Sequence, residues 1–263
     1  MLEITGRTRV LGILAHPTDH VKAPPGINRI ARERGKDAVM VPFNVAPADL
    51  QAFVGTLRTL LSFDGAIVTV PHKQAILTLC DDLTPHARAV GAANILRREP
   101  DGRLIGGQLD GAGFIQGLRH AGIEPKGKGI YLAGAGGAAS AIAFAAAEAE
   151  VAFLTLANRS QGKADELRRR LLQFNPRLAV GIGTRDPSGH DIVINGTTLG
   201  MTADDDLPVD AERLSPGMVV AEVVMVPEMT PLLEGACAKG CQIHLGHHML
   251  DHQLRLMADF MGL

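Results

Sequence analysis

The chain has 263 residues, a hydrophobic content near one half and a formal net charge of −2. That length can bury one large core or two modest ones. The charge balance excludes the basic face of a nucleic-acid binder, and the lack of Trp with a single Tyr removes stacking platforms for bases. Three cysteines, Cys80, Cys237 and Cys241, form neither an even framework nor a C-x-x-C pair. With no apolar leader in the opening residues, they imply reduced thiols in a cytoplasmic protein. The uncharged run 129–147 is too rich in Gly and Ala, and too clearly broken by a turn, for a lipid-facing helix. No membrane partner is expected.

In chain order, Arg9–Leu14 reads as a buried strand that ends in a polar, proline-rich loop from His16 to Pro25. A helix over Ile27–Arg34 and a strand over Ala38–Phe43 follow. Pro47 opens the next helix, where its missing N–H costs little. Phe63–Val70 is a third strand, running into Pro71-His72-Lys73 and another helix. Gly91–Leu96 and Leu104–Ile105 are short strands, Asp110–Ala121 is a helix and 125–129 is a polar linker. Then come strand 130–133, a helix through Ser140–Phe144, strand Val151–Leu156, helix Lys163–Gln173 and a weaker strand at Ala179–Ile182. Asp191–Asn195, Met218–Val224 and Gln242–Leu245 are further strands, and a helix over Met249–Met261 ends the chain. Strands alternating with helices predict a mostly parallel sheet in each of two α/β domains, with a ligand cleft where strand ends from both open.

The segment Gly134-Ala135-Gly136-Gly137-Ala138-Ala139 follows an apolar strand and opens a helix. Gly134, Gly136 and Ala139 fit the G-x-G-x-x-G/A pattern. The first residue allows a tight turn, the second admits a pyrophosphate, and the third lets helix pack on strand. Small residues also crowd ordinary strand–turn–helix corners. The strand before, the helix after and a second strand about twenty residues on favour a nucleotide site. At the end of that second strand an acidic residue would accept the ribose 2′-OH of NAD; Asn158, Arg159, Ser160 and Lys163 stand there instead and offer donors to a 2′-phosphate.

Lys73 follows a strand end and a stiffening proline. A lysine placed so can reach into a poorly solvated site and move a proton near neutral pH, although a solvated lysine at a helix start is the commoner fate. Asp110 opens a helix, where it could be a plain N-cap or a second catalytic group. His244, His247, His248 and His252 invite a metal reading, with His248 and His252 at i,i+4. No Glu completes an H-E-x-x-H arrangement and no cysteine stands at ligand spacing, so no metal is expected. Asp204–Asp206 reads as a solvated loop.

Eight segments, in order, resemble the motifs of the shikimate/quinate dehydrogenase family. They are Val68-Thr69-Val70-Pro71-His72-Lys73, Gly91-Ala92-Ala93-Asn94-Ile95-Leu96, Asp110-Gly111-x-Gly113, Gly134–Ala139, Asn158-Arg159-Ser160, Asn195–Met201, Thr230-Pro231-Leu232-Leu233 and Gly246-x-x-Met249-Leu250-x-x-Gln253. The resemblance implies an N-terminal substrate domain over 1–105, joined by the C-terminal segment 241–263, and a Rossmann-type NADP-binding domain over 106–240. It implies reversible hydride transfer between NADPH and a ring ketone or hydroxyl of a cyclic hydroxy acid, in a monomer or homodimer. Lys73 would transfer the proton with Asp110 as its partner, and Thr69, Asn94 and Gln253 would bind ring hydroxyls. Gly134–Ala139 would hold the pyrophosphate, and Asn158, Arg159, Ser160 and Lys163 the 2′-phosphate. Thr197 falls on the cofactor side, and Val223 and Gly246 near the nicotinamide.

Departures concentrate on the substrate side. The family's S-x-S-P segment, whose serines bind the substrate carboxylate, is Val21-Lys22-Ala23-Pro24 here, leaving Lys22 as a point charge. The Asn before V-T-x-P is Ile67, the N-T before the aspartate is Gln108-Leu109, and the tyrosine two residues before Pro227 is Met225. Three readings follow: an NADP-dependent oxidoreductase with altered ring specificity, an NADPH-binding protein that has lost turnover and serves as a sensor or interaction module, or a methyltransferase with a glycine-rich loop, which leaves Asn158-Arg159-Ser160 unexplained. The intact Lys73 and Asp110 favour the first.

Overall fold

A computed structural model describes residues 4–19, 21–202 and 204–263; His20, inside the expected polar loop, lies outside them. The chain divides into two compact units, 1–109 with 253–263, and 110–252.

The first unit is built on a six-stranded sheet of order β2-β1-β3-β5-β6-β4. Its strands are β1 (Arg9–Ala15), β2 (Ala38–Asn44), β3 (Phe63–Val68), β4 (Asp82–Leu83), β5 (Ile95–Arg98) and β6 (Leu104–Gly107). β1 pairs parallel with β2 and β3, whereas β5 runs antiparallel to both β3 and β6. The sheet is mostly parallel, as predicted, with β5 as its one reversed strand, because the β5–β6 connection is short enough for a hairpin. Helix α1 (Ala23–Glu33) starts four residues before the expected Ile27, with Pro24 and Pro25 in its first turn, where no N–H is needed. Pro47–Asp49 forms a 3₁₀ turn before α2 (Leu50–Thr59). α3 (Pro85–Val90), which the sequence reading passed over, is capped by the Thr84 hydroxyl accepting from Ala87 N–H and ends at Gly91. Leu14, Val54, Leu57, Phe63, Ile76 and Leu96 lie in the core.

The second unit carries a fully parallel sheet of order β12-β11-β10-β7-β8-β9. Its strands are β7 (Gly129–Ala133), β8 (Phe153–Ala157), β9 (Ala179–Ile182), β10 (Ile192–Asn195), β11 (Val219–Glu222) and β12 (Gln242–His244). Counted within the unit this is the 3-2-1-4-5-6 order of a doubly wound dinucleotide fold, whose direction reverses between β7 and β10. β12 hydrogen-bonds to β11, so it belongs to this sheet although the sequence reading assigned 241–263 to the first domain. The helices are α4 (Asp110–His120), α5 (Gly137–Glu148), α6 (Gln161–Phe174) and α7 (Pro231–Ala238). α5 is buried on all sides from Ala139 to Ala147, which explains its lack of charge. Gly111 of α4 packs on the Ala141 carbonyl, leaving no room for a Cβ. α6 buries Ala164, Leu167 and Leu171 on one face and leaves its charges outward.

The last helix, α8 (His247–Phe260), contributes its opening to the second unit and Gln253–Phe260 to the first. Among the described residues no helix is long and apolar enough to cross a membrane.

Candidate active site

In the second unit the turn after β7 has the shape a dinucleotide needs. Gly134 takes φ +112°, and a Cβ there would press on Gly196 O at 3.0 Å and Thr197 Cγ2 at 3.1 Å. Its N–H donates to Ala157 O at 2.7 Å, which draws the ends of β7 and β8 together. Gly136 caps α5, and nothing stands within 4 Å of a Cβ built on Gly136 or Gly137. The positive end of a buried helix thus faces open space, which suits an anion. Ala139 is fully buried, as expected of the third small residue.

Beside this turn lies a cavity of about 520 Å³ lined by Gly134, Asn158, Arg159, Thr184, Arg185, Thr197 and Asp206, among others. Asn158 Nδ2 donates to Ser160 O at 2.8 Å, folding the 158–160 loop onto the start of α6. Arg159, Ser160 and Lys163 are exposed there. Two arginines outnumber the one acid of the lining, Asp206, which comes from the loop after β10 rather than the end of β8. The donor set and the open α5 terminus fit a phosphorylated dinucleotide. Thr184 and Arg185 escaped the sequence reading because β9 is short. Their position at the carboxyl end of a strand in a parallel sheet was the available signal. Tyr131 fixes this edge: its hydroxyl donates to Thr184 O at 2.7 Å, and burial pushes the phenol up to about 12.

Thr197 is held by Asn195, whose Oδ1 accepts from Thr197 N at 3.0 Å and from Thr197 Oγ1 at 2.7 Å. Asn195 Nδ2 donates in turn to both oxygens of Glu222, a fully buried carboxylate that also accepts from Thr230 Oγ1 at 2.8 Å. Burial raises the Glu222 pKa against these hydrogen bonds. Val223 donates its N–H to Asn195 O at 3.2 Å. Gly246 packs on the Val224 carbonyl so closely that a Cβ would collide with it. Thus Thr197, Val223 and Gly246, far apart in sequence, belong to one corner of this unit. Glu222 was missed because a lone Glu at a strand end carries no motif.

In the first unit, β3 stops at Val68, two residues before the expected Val70. Thr69 N–H donates to Leu14 O at 3.0 Å and its carbonyl accepts His72 N–H at 2.8 Å, so 69–72 forms a turn. Val70–Pro71 is a cis peptide. His72 Nε2 meets Val45 O at 2.8 Å, and burial lowers its pKa. The half-buried Lys73 follows, but the expected helix is a 3₁₀ segment, Ala75–Leu79, that ends as the chain enters β4 at Asp82. The Lys73 carbonyl accepts Ala93 N–H at 2.8 Å, tying the lysine turn to the segment before Asn94. Asn94 is buried; its Oδ1 accepts Leu109 N–H at 2.9 Å and its carbonyl accepts Val68 N–H at 2.8 Å. Thr69, Lys73 and Asn94 therefore share one end of the first sheet. Gln253 is buried at the middle of α8, while Lys22 is exposed just before α1. Asp110, the first residue of α4 in the second unit, is also buried, and a carboxylate suits a helix N-terminus.

A family model for the shikimate dehydrogenase substrate binding domain matches residues 13–96. The NADP(+) shikimate dehydrogenase of Rubrobacter xylanophilus is 40% identical over 255 residues, which cover 95% of this chain and 89% of that protein. A solved shikimate dehydrogenase in complex with NADP+ is similar with a TM-score of 0.92 at 31% identity, over 99% of this chain and 92% of that one. The ligand-free 5-ketofructose reductase of a Gluconobacter strain gives a TM-score of 0.90 at 29% identity, over 98% and 94%. The chain belongs to the shikimate dehydrogenase family.

Proposed function

We propose that this chain is an NADP-dependent oxidoreductase that interconverts a ring ketone and its alcohol on a shikimate-like cyclic hydroxy acid. The observation that carries the cofactor half is the open α5 terminus at the β7/β10 reversal, beside a cavity lined by Asn158, Arg159 and Arg185. When bound, NADPH supplies the hydride for the carbonyl carbon. Lys73 donates a proton from its ammonium to the oxygen as that carbon is reduced, so the products are the alcohol and NADP+. In the reverse direction the neutral amine removes the hydroxyl proton. Asp110 is the second acid–base group that we assign to the reaction. Thr69, Asn94 and Gln253 hold the ring hydroxyls. Gly134–Ala139 hold the pyrophosphate and Asn158, Arg159, Ser160 and Lys163 the 2′-phosphate, with Thr197, Val223 and Gly246 around the remainder of the cofactor.

Ring specificity is the open feature of this reading. Val21 and Ala23 offer no hydroxyl, and Ala23 is buried as the first residue of α1. Each missing donor to a charged carboxylate would cost about 1.5–3 kcal/mol of binding. The likeness to a 5-ketofructose reductase supports a second substrate class, a polyol or keto sugar without a carboxylate. Steady-state turnover of shikimate, quinate and uncharged cyclic polyols with NADP+ separates the two. Preference for the acids supports the first, and preference for the uncharged rings the second. The lack of NADPH-coupled turnover on any of them would reject both.

A further inference from the structure

Five of the ten histidines cluster in the second unit, at the start of α8, the end of β12 and the end of α4. The His247 and His248 rings lie 4.2 Å apart, those of His244 and His248 4.8 Å, and those of His120 and His252 4.9 Å. The i,i+4 pair noted in the sequence, His248 and His252, is not the one that converges. One ligand atom from each of His247, His248 and Asp251 lies within 4.8 Å of the others. Their spacing along the first turn of α8 brings i,i+3 and i,i+4 neighbours onto one patch.

We propose that His247, His248 and Asp251 form a site for a divalent transition-metal ion of the zinc, cobalt or nickel class. Two imidazoles with one carboxylate form a donor set of borderline hardness, which suits these ions better than magnesium or calcium. All three side chains are at least partly exposed, so an ion can enter and small rotations can close the ligand spacing to the roughly 3–3.5 Å edge set by 2.0–2.2 Å bonds.

Two further observations point the same way. Glu228, from the loop after β11, lies 3.4 Å from His247 Nδ1 and adds a second carboxylate to the patch. His244, only 1% exposed, packs on His248, and neither of its ring nitrogens has a hydrogen-bond partner. A buried imidazole with neither its N–H nor its lone pair satisfied leaves polar capacity beside His248 that no protein group uses. The ion would brace the opening of α8 directly after Gly246. None of the three ligands is assigned a part in the hydride transfer, and the site does not depend on it.

The test is metal binding by the untagged full chain, measured by calorimetry with Zn2+ alone and by the visible spectrum of added Co2+. One ion per chain at micromolar concentration is expected, with cobalt bands typical of nitrogen and oxygen ligands. His247→Ala and Asp251→Asn should each weaken binding at least tenfold while NADPH affinity and the unfolding temperature show the fold intact. Cys237→Ser should leave metal binding unchanged. A near-ultraviolet thiolate-to-cobalt band, no binding below millimolar metal, or undiminished binding by folded His247→Ala and Asp251→Asn would each overturn the assignment.

Discussion

Asn195 Nδ2 stands 3.0 Å from both carboxylate oxygens of Glu222, joining two strand ends in the interior of the second unit. Through Thr230 Oγ1 on one side and Thr197 on the other, this pair links the start of α7 to the cavity wall. Removing the carboxylate in Glu222→Ala leaves the Thr230 hydroxyl and the Val224 N–H, now 3.3 Å from it, without their acceptor. We expect a loss of about 3 kcal/mol, at ~1–3 per unsatisfied buried group, together with a higher KM for NADPH. Urea denaturation and steady-state kinetics check the two effects.

The same pair gives a pH dependence. Burial raises the Glu222 pKa above the ordinary glutamate value of 4.5, so the folded state keeps a proton that the unfolded chain has already released. Its contribution to stability is complete below 4.5 and is lost as pH rises through the folded value. Glu222→Gln should lack this falling limb. Unfolding midpoints of the two proteins across the mildly acidic range would reveal it, and parallel curves would contradict it.

Lys73 is the assigned proton carrier. Lys73→Ala should lower kcat by about 10²–10⁴, the usual contribution of a positioned acid or base, while NADPH affinity stays close to that of the parent. Single-turnover kinetics with NADPH binding measured separately check this. Undiminished turnover would remove Lys73 from the mechanism.

Arg159 is exposed at the cavity and assigned to the 2′-phosphate. Arg159→Ser should weaken NADPH by about tenfold or more, since a charge-assisted hydrogen bond contributes ~1.5–3 kcal/mol. NADH, which lacks that phosphate, should be little affected. The ratio of the two dissociation constants is the readout.

Restoring hydroxyls tests the ring-binding loop. Val21→Ser with Ala23→Ser should raise kcat/KM for shikimate and leave that for an uncharged cyclic polyol unchanged or lower. Steady-state comparison of the two proteins gives the answer.

The nucleotide half was the more legible in sequence because its parts are local. The run from Gly129 to Glu148 carries strand, turn and helix within one stretch, and Asn158–Lys163 follows at the end of the next strand. What escaped depends on partners distant in the chain. Glu222 acquires meaning only when Asn195 and Thr230 are packed against it. Arg185 does so only when β9 is added to the sheet beside β8. In the first unit the two-residue β4 and the reversal at β5 escaped, because one is too short for a pattern and the other depends on a connection that carries no periodicity. α1 was expected too late because prolines were taken as loop markers, although its first turn accommodates both. The histidines were paired by helical spacing alone, which could not bring in Asp251 and Glu228 around His247.

The most direct measurement follows NADPH absorbance during oxidation of shikimate and related ring alcohols by the parent protein and by Lys73→Ala, with NADP+ and NAD+ in parallel. The expected result is reduction of NADP+ in preference to NAD+ on at least one cyclic alcohol, lost by a factor of about 10²–10⁴ in the variant. Tight NADPH binding with no reduction of NADP+ on any ring alcohol, or equal turnover by Lys73→Ala, would contradict it.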